Sequence, residues 1–308
     1  NQTSQVEETS TIEIPAVAAG ETADFVLPID TRGRIGLNDL EVFVNPGDQP
    51  EQFYNNNVLR LESFYEVTRD NVNPAVDVTF DGAYILDGDL VSPSPLIVAE
   101  LRDNNPYIFK EDTVGVDIYV KENCETCQAI RINFSDPGVS FFPATDNSNF
   151  RVEFQPDKMT DGSYNLQVEA RDASGNQSGI NPYTINFEVV NESSISSFYP
   201  YPNPFSTSTR FVFTITGDML PDNLKIQIFT MTGKVVREIT QAELGPIHVG
   251  NNISDFAWDG YDEFGDQLAN GTYLYRVIAK INGQDIGHRG TGGDKGFRKG
   301  WGKLVILR

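Results

Sequence analysis

Histidine is nearly absent from this 308-residue chain, which holds only His248 and His288 beside two cysteines and three methionines. A general base working near neutral pH is usually a histidine or a carboxylate tuned by its surroundings, so the supply argues against catalysis within these residues. Neither cysteine is spaced with acidic and histidine partners as a nucleophile would be, and no Gly-x-Ser-x-Gly elbow or Gly-x-x-x-x-Gly-Lys-Ser/Thr phosphate loop occurs. No run of about 18 apolar residues exists, which excludes a membrane-spanning helix. The N-terminus lacks the basic-then-apolar order of a signal peptide. No stretch keeps the i, i+3, i+4, i+7 apolar spacing of an amphipathic helix for three turns.

What the chain does have is 20 Phe, 12 Tyr, 26 Gly and 17 Pro, with alternating apolar segments between turn residues. This composition reads as all-β, and the length suits three consecutive β-sandwich domains. The missing initiator methionine and signal lead us to expect that Asn1 is not the natural start and that the chain is the C-terminal part of a longer secreted precursor. The net charge of −21 is uneven, at −8 over residues 1–69, −14 over 70–192 and +1 over 193–308. An acidic body argues against nucleic acid, whose phosphates need a basic footprint, and suits a solvated life outside the cell.

Residues 1–69 carry alternating segments Thr11–Val17, Ala23–Ile29, Leu40–Val44 and Val58–Val67, joined by Gly, Pro and Asn turns, as in a small sandwich. Asn45-Pro46, Glu51 and the Asn55–Asn57 run resemble adhesion-related bacterial domains of the CARDB type, which implies a spacer. In residues 70–192, seven segments (Val76–Phe80, Leu96–Leu101, Val114–Val120, Ile130–Phe134, Phe150–Phe154, Tyr164–Ala170, Tyr183–Val190) predict an immunoglobulin-like sandwich. Asp161-Gly162-Ser163-Tyr164 and Asp172–Asn176 resemble the closing hairpin of bacterial immunoglobulin-like repeats. Ser193–Pro200 reads as a linker. Beyond it, Pro200, Pro202 and Pro204 favour polyproline or edge-strand geometry, followed by strands Arg210–Ile215, Leu224–Phe229, Val235–Ile239, Ile253–Trp258, Tyr273–Ile281 and Lys303–Leu307.

Cys124 and Cys127 flank a loop between two expected strands. Zinc would want two further ligands nearby and a redox pair would want a helix start, so the pair reads as a short disulfide in an oxidising compartment, with inert thiols as the alternative. Asp81, Asp87, Asp89 and Asp103 lie at strand ends and offer hard oxygen ligands of the kind calcium takes, but no EF-hand register is present and turn formation explains the same residues. Calcium is therefore a weak candidate and no other cofactor is expected. Asp259, Asp262 and Asp266 read as a hairpin device. Asp285–Gly300 is rich in glycine and cations; an unstructured loop of about 16 residues is uncommon unless functional or disordered. It is either a solvated hairpin loop or a partner-binding finger in which Arg289, Lys295, Arg298, Lys299 and Lys303 meet an acidic surface while Phe297 and Trp301 anchor it.

Five spaced motifs cover about the last 110 residues: Tyr201-Pro202-Asn203-Pro204-Phe205, Gly233-Lys234, Trp258-Asp259-Gly260, Gly271-x-Tyr273-x-Tyr275 and Lys303-Leu304-Val305. Their order resembles the C-terminal sorting domain of proteins exported by the type IX secretion system of Bacteroidota, and less closely the immunoglobulin-like domain of flagellar hook-cap proteins. The whole resembles the tail of large gingipain-type cysteine peptidase relatives, including the sortase among them. The resemblance implies a non-catalytic region here, any peptidase domain lying upstream. It also implies periplasmic transit to the cell surface or outer membrane, with the type IX translocon and an outer-membrane β-barrel shuttle protein as partners. The alternative is a calcium-dependent adhesin or glycan-binding module whose tail is only a cleavable export signal.

Overall fold

The computed structural model describes residues 1, 7–14, 17–18, 20–47, 49–290, 296–298 and 300–308. The chain divides into two compact units, Asn1–Asn71 and Val72–Arg308. In the first, strands β1 (Gly36–Phe43) and β2 (Val58–Val67) pair antiparallel, so that Leu40 lies opposite Leu61 and Val42 opposite Leu59 on one face. The intervening loop is stitched by Glu51, whose Oε2 accepts from the side-chain amides of Asn57 at 2.7 Å and Asn45 at 3.0 Å. Those two amides, Asn57 foremost, hold the Glu51 carboxyl below its ordinary range. Ala23–Ile29, expected as a strand, has no strand structure.

The second unit holds two cores. The first is enclosed by β3 (Ala75–Phe80), β4 (Asp89–Val91), β5 (Ile97–Arg102), β6 (Asp117–Glu122), β7 (Ile130–Arg131), β8 (Val139–Phe142), β9 (Phe150–Phe154), β10 (Gly162–Glu169) and β11 (Tyr183–Val189). They form sheets of order β3-β5-β9-β8 and β4-β11-β10-β6-β7. Alternation decides the inward faces: Ile97, Ala99 and Leu101 of β5 and Tyr164, Leu166 and Val168 of β10 are buried between polar neighbours. The Phe80 and Phe187 rings meet between the sheets with centroids 5.1 Å apart. Cys124 and Cys127 form a disulfide with Cα atoms 5.2 Å apart.

The second core lies between β12 (Ser194–Tyr201), β13 (Arg210–Thr216), β14 (Asn223–Phe229), β15 (Val235–Ile239), β16 (Gly250–Ile253), β17 (Gly271–Ile281), β18 (Gln284–Asp285), β19 (Gly287–His288) and β20 (Trp301–Ile306). One sheet runs β16-β13-β12-β19; the other runs β15-β14-β17-β18, with β20 also on β17. The stretch read as a linker is thus a strand. Its buried Ser194 is tolerated because the hydroxyl is satisfied, sharing a 2.8 Å hydrogen bond with Thr216 Oγ1. Pro200 pairs with Phe211 where β12 has only β13 beside it, so its missing N–H disrupts no ladder.

The two sandwiches of this unit are joined without slack. Gly217 N–H donates to Val190 O at 3.0 Å, Thr216 Oγ1 to Glu192 O at 2.6 Å, Asn251 Nδ2 to Asp89 Oδ1 at 2.8 Å, and Lys158 pairs with Asp218 at 2.8 Å. A crevice of about 60 Å³ lies at this junction, bordered by Asp81, Tyr84, Asp89, His248 and Asn251. That is room for water rather than for a metabolite, whose pockets run to about 300 Å³ and more.

Candidate functional site

The residues of the five motifs come from separate stretches, and most of them close one end of the C-terminal sandwich. Asn203 Nδ2 donates to Lys303 O at 3.1 Å and Asn203 Oδ1 accepts from Val305 N–H at 2.9 Å. Phe205 then continues as a bridge, donating to Val305 O and accepting from Leu307 N–H. Pro202 lends its carbonyl to the Thr209 hydroxyl at 2.8 Å, and the peptide bonds before Pro202 and Pro204 are cis. Beneath them, the buried Trp258 ring meets Phe205 at 5.5 Å and its Nε1 donates to Tyr261 O.

Arg308 completes the closure from the other side. Its guanidinium donates to Asp259 O and Leu268 O, while its backbone exchanges hydrogen bonds with the Asn270 amide. Gly260 sits against Arg308 and Ile306 at a φ of +78°, a position that would strain any side chain. Asp262 Oδ1 accepts from Phe264 and Asp266 N–H at 2.9 Å, which is the expected hairpin device. Gly233 N–H closes the Thr230–Lys234 turn, and Lys234 N–H reaches the Thr230 hydroxyl. Gly271 opens β17, whose Tyr273 donates to Ala269 O and Tyr275 to Phe198 O, both at 2.9 Å. These residues build the fold; their chemistry is spent internally.

The same contacts seal the sheet edges. The outward groups of β20 are taken by Arg298, Asn203 and Phe205 over Trp301 and Val305–Leu307. On β15, Glu263 N–H donates to Val236 O and Glu263 Oε1 accepts from Glu238 N–H. The outer edges of β15 and β20 are therefore covered against pairing with another strand.

The segment between β17 and β20 differs from the expected finger. Here β18 extends the hairpin, β19 crosses to pair with Ser194 and Ile195 on the opposite sheet, and Arg289 N–H donates to Ile195 O. Phe297 returns into the core at 4% exposure, stacked on Phe198 and Tyr275 at 5.5 and 5.8 Å and against His288 at 4.6 Å. The expectation that Phe297 anchors a partner is corrected, because burial among aromatic rings removes it from the surface. Lys295 and Lys299 lie outside the described residues.

Trp301 and Lys303, by contrast, stand on the surface. Register aligns Val235, Phe229, Leu274 and Lys303 as one row across β15, β14, β17 and β20, and Glu238, Gln227, Arg276 and Trp301 as the next. Inward neighbours Ile226, Ile228, Tyr273, Tyr275 and Leu304 are buried, so these rows form the outer face. Trp301 is 37% exposed, its ring 5.1 Å from Phe229, with the Arg276 guanidinium over it at 5.6 Å. Phe229, Leu274 and Arg276 escaped the sequence reading, although their alternation with buried tyrosines and isoleucines was a usable signal.

The acidic candidates of the first sandwich are engaged in turns. Asp81 accepts from the Ser92 hydroxyl at 2.6 Å and Leu96 N–H at 2.8 Å. Asp87 Oδ1 accepts from both nitrogens of Asn186, Asp89 from Leu86 N–H and the Asn251 amide, and Asp103 from Asn105 N–H. Asp81 and Asp89 share the junction crevice, while Asp87 and Asp103 do not border it.

Among known proteins, no curated sequence matches the chain. Of solved structures, dimeric latent PorU from Porphyromonas gingivalis is similar at 19% identity and a TM-score of 0.31, over 81% of this chain. The chain spans only 22% of PorU. A tetra-tandem repeat from the extending region of a large adhesion protein matches at 14% identity and 0.25, over 76% of this chain and 49% of that one. The Bacteroides ovatus glucan-utilisation protein SGBP-B, in complex with a mixed-linkage heptasaccharide, matches at 11% and 0.26, over 93% and 71%. Residues 203–283 match the FlgD Ig-like domain family, so the family likeness begins at Asn203 in the closure and falls wholly on the C-terminal sandwich.

Proposed function

We propose that this chain is a non-catalytic region of a cell-surface protein. In this reading residues 193–308 are a folded type IX sorting domain that docks on an outer-membrane β-barrel shuttle protein, carried behind spacer domains at 1–69 and 70–192. The observation that carries the reading is the convergence of Asn203, Phe205, Trp258, Asp259, Asn270, Val305 and Arg308 at one closed end of the sandwich. Residues dispersed over about 110 positions converge only when the domain is folded, so in this reading the translocon recognises the folded end that they hold together rather than a linear segment. The FlgD Ig-like match over residues 203–283 supports the fold that this requires.

Expression of the full chain behind an added N-terminal signal peptide, in a bacterium with a type IX system, tests it. Wild type reaches the surface and retains a β-barrel protein after detergent solubilisation of the outer membrane. Removal of residues 301–308 strips β20 and leaves the protein in the periplasm; normal surface delivery of that truncation would overturn the proposal.

A further inference from the structure

We propose that the outer face of the β15-β14-β17-β20 sheet is the docking surface, and that its occupant is an extended acidic peptide segment with apolar side chains, supplied by the partner. The inference rests on the docking reading above and replaces the glycine-rich loop as its contact. Val235, Phe229 and Leu274 lie side by side on three strands, with Trp301 on the neighbouring row. With strands about 4.8 Å apart this row, continued to Lys303 on the fourth strand, crosses about 14 Å, the reach of four or five extended residues.

Charge complementarity chooses the occupant. Arg276 and Lys303 flank the apolar row, and neither has a carboxylate within ion-pair distance among the described residues. Lys225 and Lys280 on the same face are paired with Glu238 and Asp285. Two exposed cations beside an aromatic pair, in the one domain that is not acidic, fit a partner alternating carboxylates with apolar groups. Because the Arg276 guanidinium covers the Trp301 ring, the indole presents a cation to a carboxylate instead of a bare face to a sugar. The sealed edges of β15 and β20 leave the face, not strand addition, as the route.

The test uses the full 308-residue chain and a synthetic peptide, Glu-Leu-Asp-Phe-Glu-Val-Asp, followed by amide NMR shifts and by fluorescence anisotropy of a labelled copy. Shifts centred on Phe229, Leu274, Arg276, Trp301 and Lys303 are expected. Arg276→Glu with Lys303→Glu weakens binding about tenfold or more and flattens its salt dependence, while Ile253→Ser on the opposite sheet leaves it unchanged. Equal binding by the double variant, shifts centred on Tyr199, Val212 and Ile253, or a preference for oligogalacturonate over the peptide would each overturn the proposal. Surface delivery is scored in parallel with the signal-peptide fusion: its accumulation in the periplasm sinks the sorting reading alone, and the peptide data still decide the face.

Discussion

Asn203 holds Val305 in place through its side-chain amide, the Oδ1 accepting from Val305 N–H at 2.9 Å while Nδ2 donates to Lys303 O at 3.1 Å. One amide thereby substitutes for a neighbouring strand along the outer edge of β20. Asn203→Ala leaves a donor and an acceptor of that edge without the amide, and the expected loss is about 1–3 kcal/mol. Asn203→Asp keeps the acceptor and loses the donor, so it should fall between. Denaturant unfolding of the three proteins measures this; an alanine variant as stable as wild type would show that water replaces the amide at no cost.

Gly302 faces the Tyr275 phenol so closely that any Cβ would collide with it, and that phenol is fixed by its hydrogen bond to Phe198 O. Gly302→Ala therefore forces Tyr275 or β20 to move, at about 1–3 kcal/mol. Combining it with Tyr275→Ala, which vacates the space, should cost less than the sum of the two single changes. Strict additivity in thermal or urea unfolding would contradict the contact.

Local pattern was legible in the sequence where alternation was strong: Val235–Ile239 and Phe150–Phe154 were read to the residue. It misled where polar residues are buried and satisfied, as along Ser194–Tyr201, and where a strand is short, as at Asp89–Val91 and Val139–Phe142. Trp258 was read into a strand that ends at Ile253, because it forms only a bridge with Thr209. The outer-face rows were beyond reach for a different reason. Alternation says that Phe229, Arg276 and Trp301 point away from the core, but only the register across three strands makes them neighbours.

Asp218 ties the junction of the two sandwiches through Lys158, and Asp161 holds Asn191 just beyond β11. The Asn191 amide, chiefly, lowers the Asp161 carboxyl, with Arg289 and Lys158 adding attraction; Lys158 lowers Asp218. A carboxyl depressed in the folded state stabilises above its unfolded value of about 3.9 and loses that contribution as pH falls through the folded value. The melting temperature of the second unit should hold from about pH 7 to pH 5 and decline below about pH 4. Asp161→Asn with Asp218→Asn should blunt that decline. Parallel curves for the two proteins down to pH 3 would assign the acid sensitivity elsewhere.

Phe297 and Arg298 are adjacent in sequence but opposite in role, and their variants separate a packed segment from a recognition finger. Phe297 fills a space between Phe198, Tyr275 and His288, so Phe297→Ala opens a cavity among aromatic rings at about 3–5 kcal/mol. Arg298 is exposed and contributes its backbone to the bridge with Trp301, so Arg298→Ala should change stability by no more than about 0.5 kcal/mol. Hydrogen exchange adds a local readout, since Arg289 N–H donates to Ile195 O only while the segment lies on the sheet edge. Faster exchange of the Arg289 amide in Phe297→Ala, with that of Ile226 in the core strand rising far less, would mean that the ring pins the segment. Unchanged exchange at Arg289 would mean that the β19 pairing holds the segment without the ring.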